Sequence, residues 1–353
     1  MEHPTEIKNE VASPLQEGVS ATCTGTGTGT INPDKTRTTA LIEAVCEGNF
    51  DRAQMLLDGK EHIDFTGENG FTALTMAAYR GQTACLQLLL DANAKVDLPV
   101  QSKFTALMLA ASFGRAECLQ LLLDAKADIN AINDNGDPAS NLAAVKGHTQ
   151  CLQLLLDAKG DLHVANKKGS TALMSAAYGG QTACLQLLLN AKADVDAADN
   201  DGYSASILAA ESGHVECLRL LLDAEANIDA VTKGSGSTAL MRAAIKNHAG
   251  CVQLLLDAKA DIDVEHGCGS TALIMARDHG YYNIVNLLLK AKNDRAATPA
   301  AVQQGPPSLL ISSIFKTRAR TIRDLVNSKA SLECVDSNGN TPLLLATKHS
   351  HDS

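Results

Sequence analysis

The chain contains no tryptophan, and aromatic residues fill only 3% of its 353 positions. Large rings therefore cannot organise its interior, which must be aliphatic and drawn from leucine, alanine and small residues such as cysteine. Basic residues are in the minority: 30 Lys and Arg stand against 40 Asp and Glu, for a net charge of −10. Binding led by nucleic-acid phosphates needs a basic face, so that balance argues against it. No apolar run approaches the roughly 18 residues a membrane span requires. The opening residues Met1-Glu2-His3-Pro4-Thr5-Glu6 lack the basic start and apolar middle of a secretory leader. A cytoplasmic or nuclear setting is expected, with no membrane and no nucleic acid as partner.

What the chain does have is one phrase used again and again. Cys118-Leu119-Gln120-Leu121-Leu122-Leu123-Asp124-Ala125 also begins at Cys85 and Cys151, and returns with one change at Cys184, Cys217 and Cys251. Ile284-Val285-Asn286-Leu287-Leu288-Leu289 is a weaker copy. The starts fall 33 residues apart, with one step of 34 between Cys217 and Cys251. A period in this range marks stacked units that share one core, and it replaces the two globular domains that length alone would give. A hydrophobic content of 45% is enough to make that core continuous.

Ten cysteines do not imply a disulfide framework here, because six of them hold the same place in successive units. Stacked helices lie about 8–10 Å apart, whereas bridged Cα atoms are rarely separated by more than about 7 Å. These six are expected to be buried small hydrophobes.

Each unit reads as two short helices. In Phe104-Thr105-Ala106-Leu107-Met108-Leu109-Ala110-Ala111 the threonine is a helix N-cap, its hydroxyl taking a free backbone N–H. A glycine such as Gly114 then permits a tight turn. The Leu-rich phrase makes a second helix with a wide apolar face, as required when neighbours cover both flanks. A polar link such as Asn133-Asp134-Asn135-Gly136 returns the chain as a hairpin-like finger. This reading divides the chain into a flexible tail over 1–33 and an array of about eight units over 34–291. The first unit, 34–66, is the cap, with Arg52 where later copies carry cysteine. An irregular insertion, 292–307, and a degenerate unit plus a half unit, 308–353, complete it. The tail's Thr24–Thr30 run has no preceding strand and no following Gly-Lys-Ser/Thr, so it is not a phosphate loop.

The phrases Asp336-Ser337-Asn338-Gly339-Asn340-Thr341-Pro342-Leu343, Gly147-His148 and Gly213-His214, with seven Leu triplets at one period, resemble the ankyrin repeat family over roughly residues 34–349. The resemblance implies an all-α solenoid of helix–turn–helix repeats with projecting hairpin fingers and a concave face used for binding. Three departures stand out. The family's Thr-Pro-Leu-His becomes Thr-Ala-Leu followed by Thr75, Met108, Met174, Met241 or Ile274, so apolar contact must replace the histidine's hydrogen bonds. The glycine that usually ends the second helix is Lys126, Lys159, Lys192 or Lys259, with Asn93 and Glu225 in other copies. Pro138-Ala139-Ser140-Asn141 replaces Thr-Ala-Leu-Met in the fourth repeat and predicts a soft point in the stack.

No catalytic set is legible: there is no nucleophile elbow, no His-Glu-x-x-His and no Walker-type loop. Asp124, Asp157 and Asp257 fall in a repeated column of solvated helix ends. His266 and Cys268 on one finger and His279 on the next turn are potential zinc ligands. They lie at opposite ends of a helix, roughly 12 Å apart, which excludes a shared metal. No cofactor and no metal is expected.

The scarce aromatics carry the functional reading. On the repeat frame, Phe71, Phe104 and Tyr203 sit late on fingers, and Tyr79, Phe113 and Tyr178 at the ends of first helices. The ankyrin resemblance implies that these slots are variable and used for contacts, and Tyr and Phe are the usual anchors of protein interfaces. Arg80, Lys146, Glu211 and Lys246 would form a polar rim. The sequence thus predicts a monomeric, non-enzymatic scaffold or adaptor that binds another protein, as an extended peptide or a folded domain, through repeats two to six. The alternative is the interaction domain of a larger enzyme, a kinase or ubiquitin ligase subunit, cut off at Ser353. A further reading, contact of the Lys316–Arg323 cluster with nucleic acid or anionic lipid, would rest on four charges in an acidic chain.

Overall fold

The computed structural model describes residues 33–67 and 70–296. The expected tail before Pro33, the insertion beyond residue 296, the degenerate unit with its half repeat, and the Lys316–Arg323 cluster lie outside the described residues. Compact packing is continuous through the described residues up to Ala291.

Among the described residues each repeat folds as a helix pair. Helix α1 (Pro33–Cys46) precedes α2 (Phe50–Asp58), α3 (Ala73–Arg80) precedes α4 (Thr83–Asp91), and α5 (Ala106–Ser112) precedes α6 (Ala116–Asp124). The centre comprises α7 (Ala139–Lys146) and α8 (Thr149–Asp157), then α9 (Ala172–Gly179) and α10 (Thr182–Asn190). There follow α11 (Ala205–Ser212) with α12 (Val215–Asp223), α13 (Ala239–Ile245) with α14 (Ala249–Asp257), and α15 (Ala272–Asp278) with α16 (Tyr282–Ala296). None of these helices is long and apolar enough to cross a membrane. There is no named strand among the described residues. The fingers carry isolated bridges, Ile132 to Pro138 and Ala198 to Ser204, so they are hairpin-like only at single points.

The helices begin where the threonines predict. Thr72, Thr105, Thr171, Thr238, Thr271 and Ser204 each accept the backbone N–H three residues on. Pro138 offers no side-chain cap to α7. The fourth repeat is nevertheless tied to the fifth, because Asn141 in the first turn of α7 donates Nδ2–H to the Ser170 carbonyl at 3.0 Å. Asp137 accepts from Asn166 Nδ2 at 2.8 Å beside it. The expected soft point is a polar cross-link.

First helices pack on first helices and second on second, giving two layers with the core between them. In α6, Cys118, Leu119 and Leu122 are 0–1% exposed, and the same three places are filled and buried in each successive second helix through α14. All six column cysteines are free thiols. Met108, Met174 and Met241 are buried where the family pattern would put histidine, which is the apolar replacement the sequence implied.

Three sets of hydrogen bonds join successive repeats. His148 Nε2 donates to the Ser112 carbonyl at 3.0 Å, His214 to Tyr178 at 3.1 Å and His248 to Glu211 at 3.0 Å. Burial lowers the pKa of His148 and His248, which keeps these rings neutral. The turn each ring crosses must be bare. Gly213 has φ +80°, and a Cβ there would sit 2.6 Å from His248 Nδ1. The second set is made by carboxylates and amides reaching forward to the next repeat: Asp64 accepts from Lys95 N at 2.8 Å, Asp97 from Asp128 N at 3.0 Å and Asp196 from Asn227 N at 2.8 Å. Third, from the finger at Ser102 onward, each finger holds the next through one main-chain bond, as from Asp134 N to the Ser102 carbonyl and from Lys167 N to Asn135, both 2.9 Å.

Candidate partner-binding face

The ends of the first helices and the adjoining fingers form one face of the stack. Of the side chains expected to line it, Phe71 and Phe104 are 3% and 8% exposed. They are not surface rings. Each stands just ahead of an N-cap and turns into the hydrophobic core. Burying a phenyl ring contributes about 2–3 kcal/mol, which is why the ring is taken inward.

The other four rings are half-buried. Tyr79 closes α3, with its ring 6.0 Å from Phe71 and 4.6 Å from Phe113, edge-on at 80°. Phe113 is the residue after α5, one place later in the repeat frame than Tyr79 and Tyr178. It therefore shares a column with Arg80 and Lys146. Its offset is what lets it meet Tyr79 edge to face. Arg80 lies 5.5 Å from the centre of the Tyr79 ring. Arg80, Lys146 and Lys246 are exposed, as a polar rim requires.

Glu211 is not a simple rim residue. Its Oε1 lies 3.9 Å from both Arg242 and Lys246, and Arg242 also covers the Tyr203 ring at 5.1 Å. Sequence reasoning missed Arg242. The signal was available in one column of the first helices, which reads Met76, Leu109, Leu142, Ser175, Leu208, Arg242 and Met275. A lone Arg there stands among apolar residues, and its Nε is buried without a hydrogen-bond partner. Burial raises the pKa of Tyr178 and Tyr203, so both phenols are neutral donors at neutral pH.

Repeats four to six enclose a notch of about 110 Å³ between the first helices and the fingers. Ser175 occupies the column filled by Leu142 and Leu208 on either side, and this smaller side chain opens the space. The walls are Leu142, Val145 and Leu208, with Tyr178 at one end, and the finger side is polar. The repeats close tightly beside it, since a Cβ on Gly179 would meet the Val145 carbonyl oxygen at 2.5 Å.

Carboxylates on the opposite layer are structural. Asp91, Asp124, Asp157 and Asp257 accept from Gln87, Gln120, Gln153 and Gln253 at 2.7–2.9 Å, each one turn away. Thiol chemistry divides sharply. Burial pushes the Cys151 and Cys251 thiols up to about 11. Cys268 is exposed, and hydrogen bonds at Ser270 lower its pKa. His266 Nδ1 lies 3.1 Å from its sulfur, while His279 Nδ1 is held by the Met275 carbonyl at 2.9 Å. With a maleimide or iodoacetamide at pH 8, mass mapping should find Cys268 modified before any of the six column cysteines. Early labelling of Cys151 would contradict the packing described for the second helices.

Comparison with known proteins agrees with this architecture. The family model for ankyrin repeats, in a three-copy form, matches residues 41–133, 140–232 and 225–298. The crystal structure of the human ASB11 ankyrin repeat domain aligns with a TM-score of 0.57, covering 67% of this chain and 100% of that one at 22% sequence identity. No curated protein matches the sequence. At that identity the structural likeness concerns the fold alone.

Proposed function

Because the chain belongs to the ankyrin repeat family, whose members are generally protein–protein interaction modules, we propose that it is a non-enzymatic scaffold or adaptor. It binds another protein through the inner face and fingers of repeats two to six. The observation that carries this reading is the set of half-buried rings Tyr79, Phe113, Tyr178 and Tyr203 on one face, four of the chain's eleven aromatic residues. Such rings present a large apolar area at little entropic cost, and charged neighbours (Arg80, Lys146, Glu211 and Lys246) supply the rim that excludes water around them. Phe71 and Phe104 act from below, by holding Tyr79 and the first-helix caps in place. At about 10 Å per repeat, five repeats offer roughly 50 Å, enough for about 15 extended residues. The proposed setting is cytoplasmic or nuclear, and the proposed state is monomeric.

The triple variant Tyr79→Ala, Phe113→Ala and Tyr178→Ala should keep its helical circular dichroism and lose partner binding by more than about 1 kcal/mol per ring. Affinity purification of the wild type from its native source supplies the partner. Undiminished co-purification with the triple variant would remove this face from consideration.

A further inference from the structure

The notch of repeats four to six is a second kind of feature on the same face, because its chemistry is one-sided. Asp137 and Asp199 both line it, and Asn141, 2% exposed, lines it too. Asn141 spends its Nδ2–H on the Ser170 carbonyl, which fixes the amide orientation, and its buried Oδ1 accepts no hydrogen bond. Ser175 and Tyr178 add hydroxyl groups. The oxygens therefore outnumber the donors. Lys168 is the one cation among the lining residues, and it stands exposed on its finger. The Asp199 carboxyl is already short of water, and burial raises its pKa. Leu142, Val145 and Leu208 add apolar lining to these acceptors.

We propose that this notch receives an arginine side chain of the bound protein, its stem against Leu142, Val145 and Leu208 and its guanidinium among Asp137, Asn141 and Asp199. The proposal rests on the reading of this face as the partner-binding surface. The volume of about 110 Å³ has room for roughly eight water-sized spheres, which suits one long side chain and excludes a nucleotide. Arginine matches better than lysine. Its five N–H donors lie in a plane that can serve several acceptors at once, and the same plane stacks on a ring such as Tyr178. A purely apolar side chain would leave the Asn141 oxygen unmet, and an acidic one would in addition bring a like charge beside Asp137 and Asp199.

The test uses the full chain with methyl-labelled Leu and Val, titrated with N-acetyl-arginine amide and, as the uncharged isostere, N-acetyl-citrulline amide. Expected are saturable shifts at Leu142, Val145 and Leu208 with the arginine compound and none with citrulline. Ser175→Leu should abolish them by filling the notch. It is compatible with the fold, because Leu109, Leu142 and Leu208 occupy the same column. Asp199→Asn keeps the acceptor for the Tyr203 N–H, seen at 2.8 Å, and should weaken binding about tenfold, the worth of one charge-assisted hydrogen bond. Absence of shifts, equal shifts with citrulline, or shifts that survive Ser175→Leu would overturn the proposal. Carrying Ser175→Leu and the aromatic triple variant through one affinity purification separates the two readings. A partner lost by the triple variant but kept by Ser175→Leu overturns the notch alone, and a partner kept by both overturns the binding face itself.

Discussion

Leu152→Ala is expected to lower the stability of the array by about 3–5 kcal/mol and to split its unfolding into two steps. Leu152 is fully buried in α8, and α8 packs on the second helices of both neighbouring repeats. Removing its isobutyl group takes away the transfer free energy of the lost atoms and leaves a void that flanking helices cannot close without breaking their own contacts. That loss is a large share of the 5–15 kcal/mol typical of a folded domain. The splitting follows from the topology. Each repeat touches only its neighbours, so stability is close to a sum of repeat terms and interface terms, and a weak interface at the centre uncouples the halves. The same change at Leu57, half-buried in the terminal helix α2, should cost less and leave a single transition. Urea unfolding followed by circular dichroism checks both. A single transition for Leu152→Ala, with an unaltered midpoint, would mean that the core is not shared between units in the way described.

The parts of this fold that could be read from the sequence are those that repeat with a one-residue signature. The N-cap threonines and the cysteine column each sit at a fixed place in the frame, so periodicity located them without any knowledge of three-dimensional contact, and the ankyrin resemblance marked the lysines that stand where a glycine usually ends the second helix. What escaped are features that depend on the neighbour one repeat away. The forward bond from Asp64 to Lys95 N joins residues 31 apart, and no local pattern singles out that carboxylate from the solvated ones around it. Asn141 looked like a weakness because its own helix has lost a cap, yet its amide bonds to Ser170 in the following repeat. Phe71 and Phe104 were assigned to surface slots by frame position. Their burial is decided by the apolar space beneath the finger, which the frame does not record. The notch was equally hidden, since it is made by Ser175 being smaller than Leu142 and Leu208 on its two flanks.

Replacing Lys126, Lys159, Lys192 and Lys259 together by glycine should raise stability by about 2 kcal/mol, an effect opposite in sign to that of most multiple substitutions. Each lysine follows a second helix with φ between 61° and 71°, in the left-handed region. The geometry is enforced by the helix end. In the copy at Lys126, the Lys126 N–H bonds to the Leu123 carbonyl and the Ala127 N–H to Leu122, both at 3.0 Å, and that pair of bonds requires a left-handed residue between them. An L-residue with a Cβ is strained there by about 1–2 kcal/mol. Glycine relieves the strain but gives the unfolded chain more freedom, which returns about 0.4–1 kcal/mol. A lysine facing the negative end of the helix contributes a few tenths in the other direction. The balance is about 0.5 kcal/mol per site. All four side chains are exposed, so no packing is lost with them. The sites are one repeat or more apart, beyond the range at which substitutions couple, so their effects should add. A melting temperature raised by several degrees is the expected reading for an array of this size. An unchanged or lowered value would show that the lysines contribute more at the helix ends than their charge and backbone geometry account for.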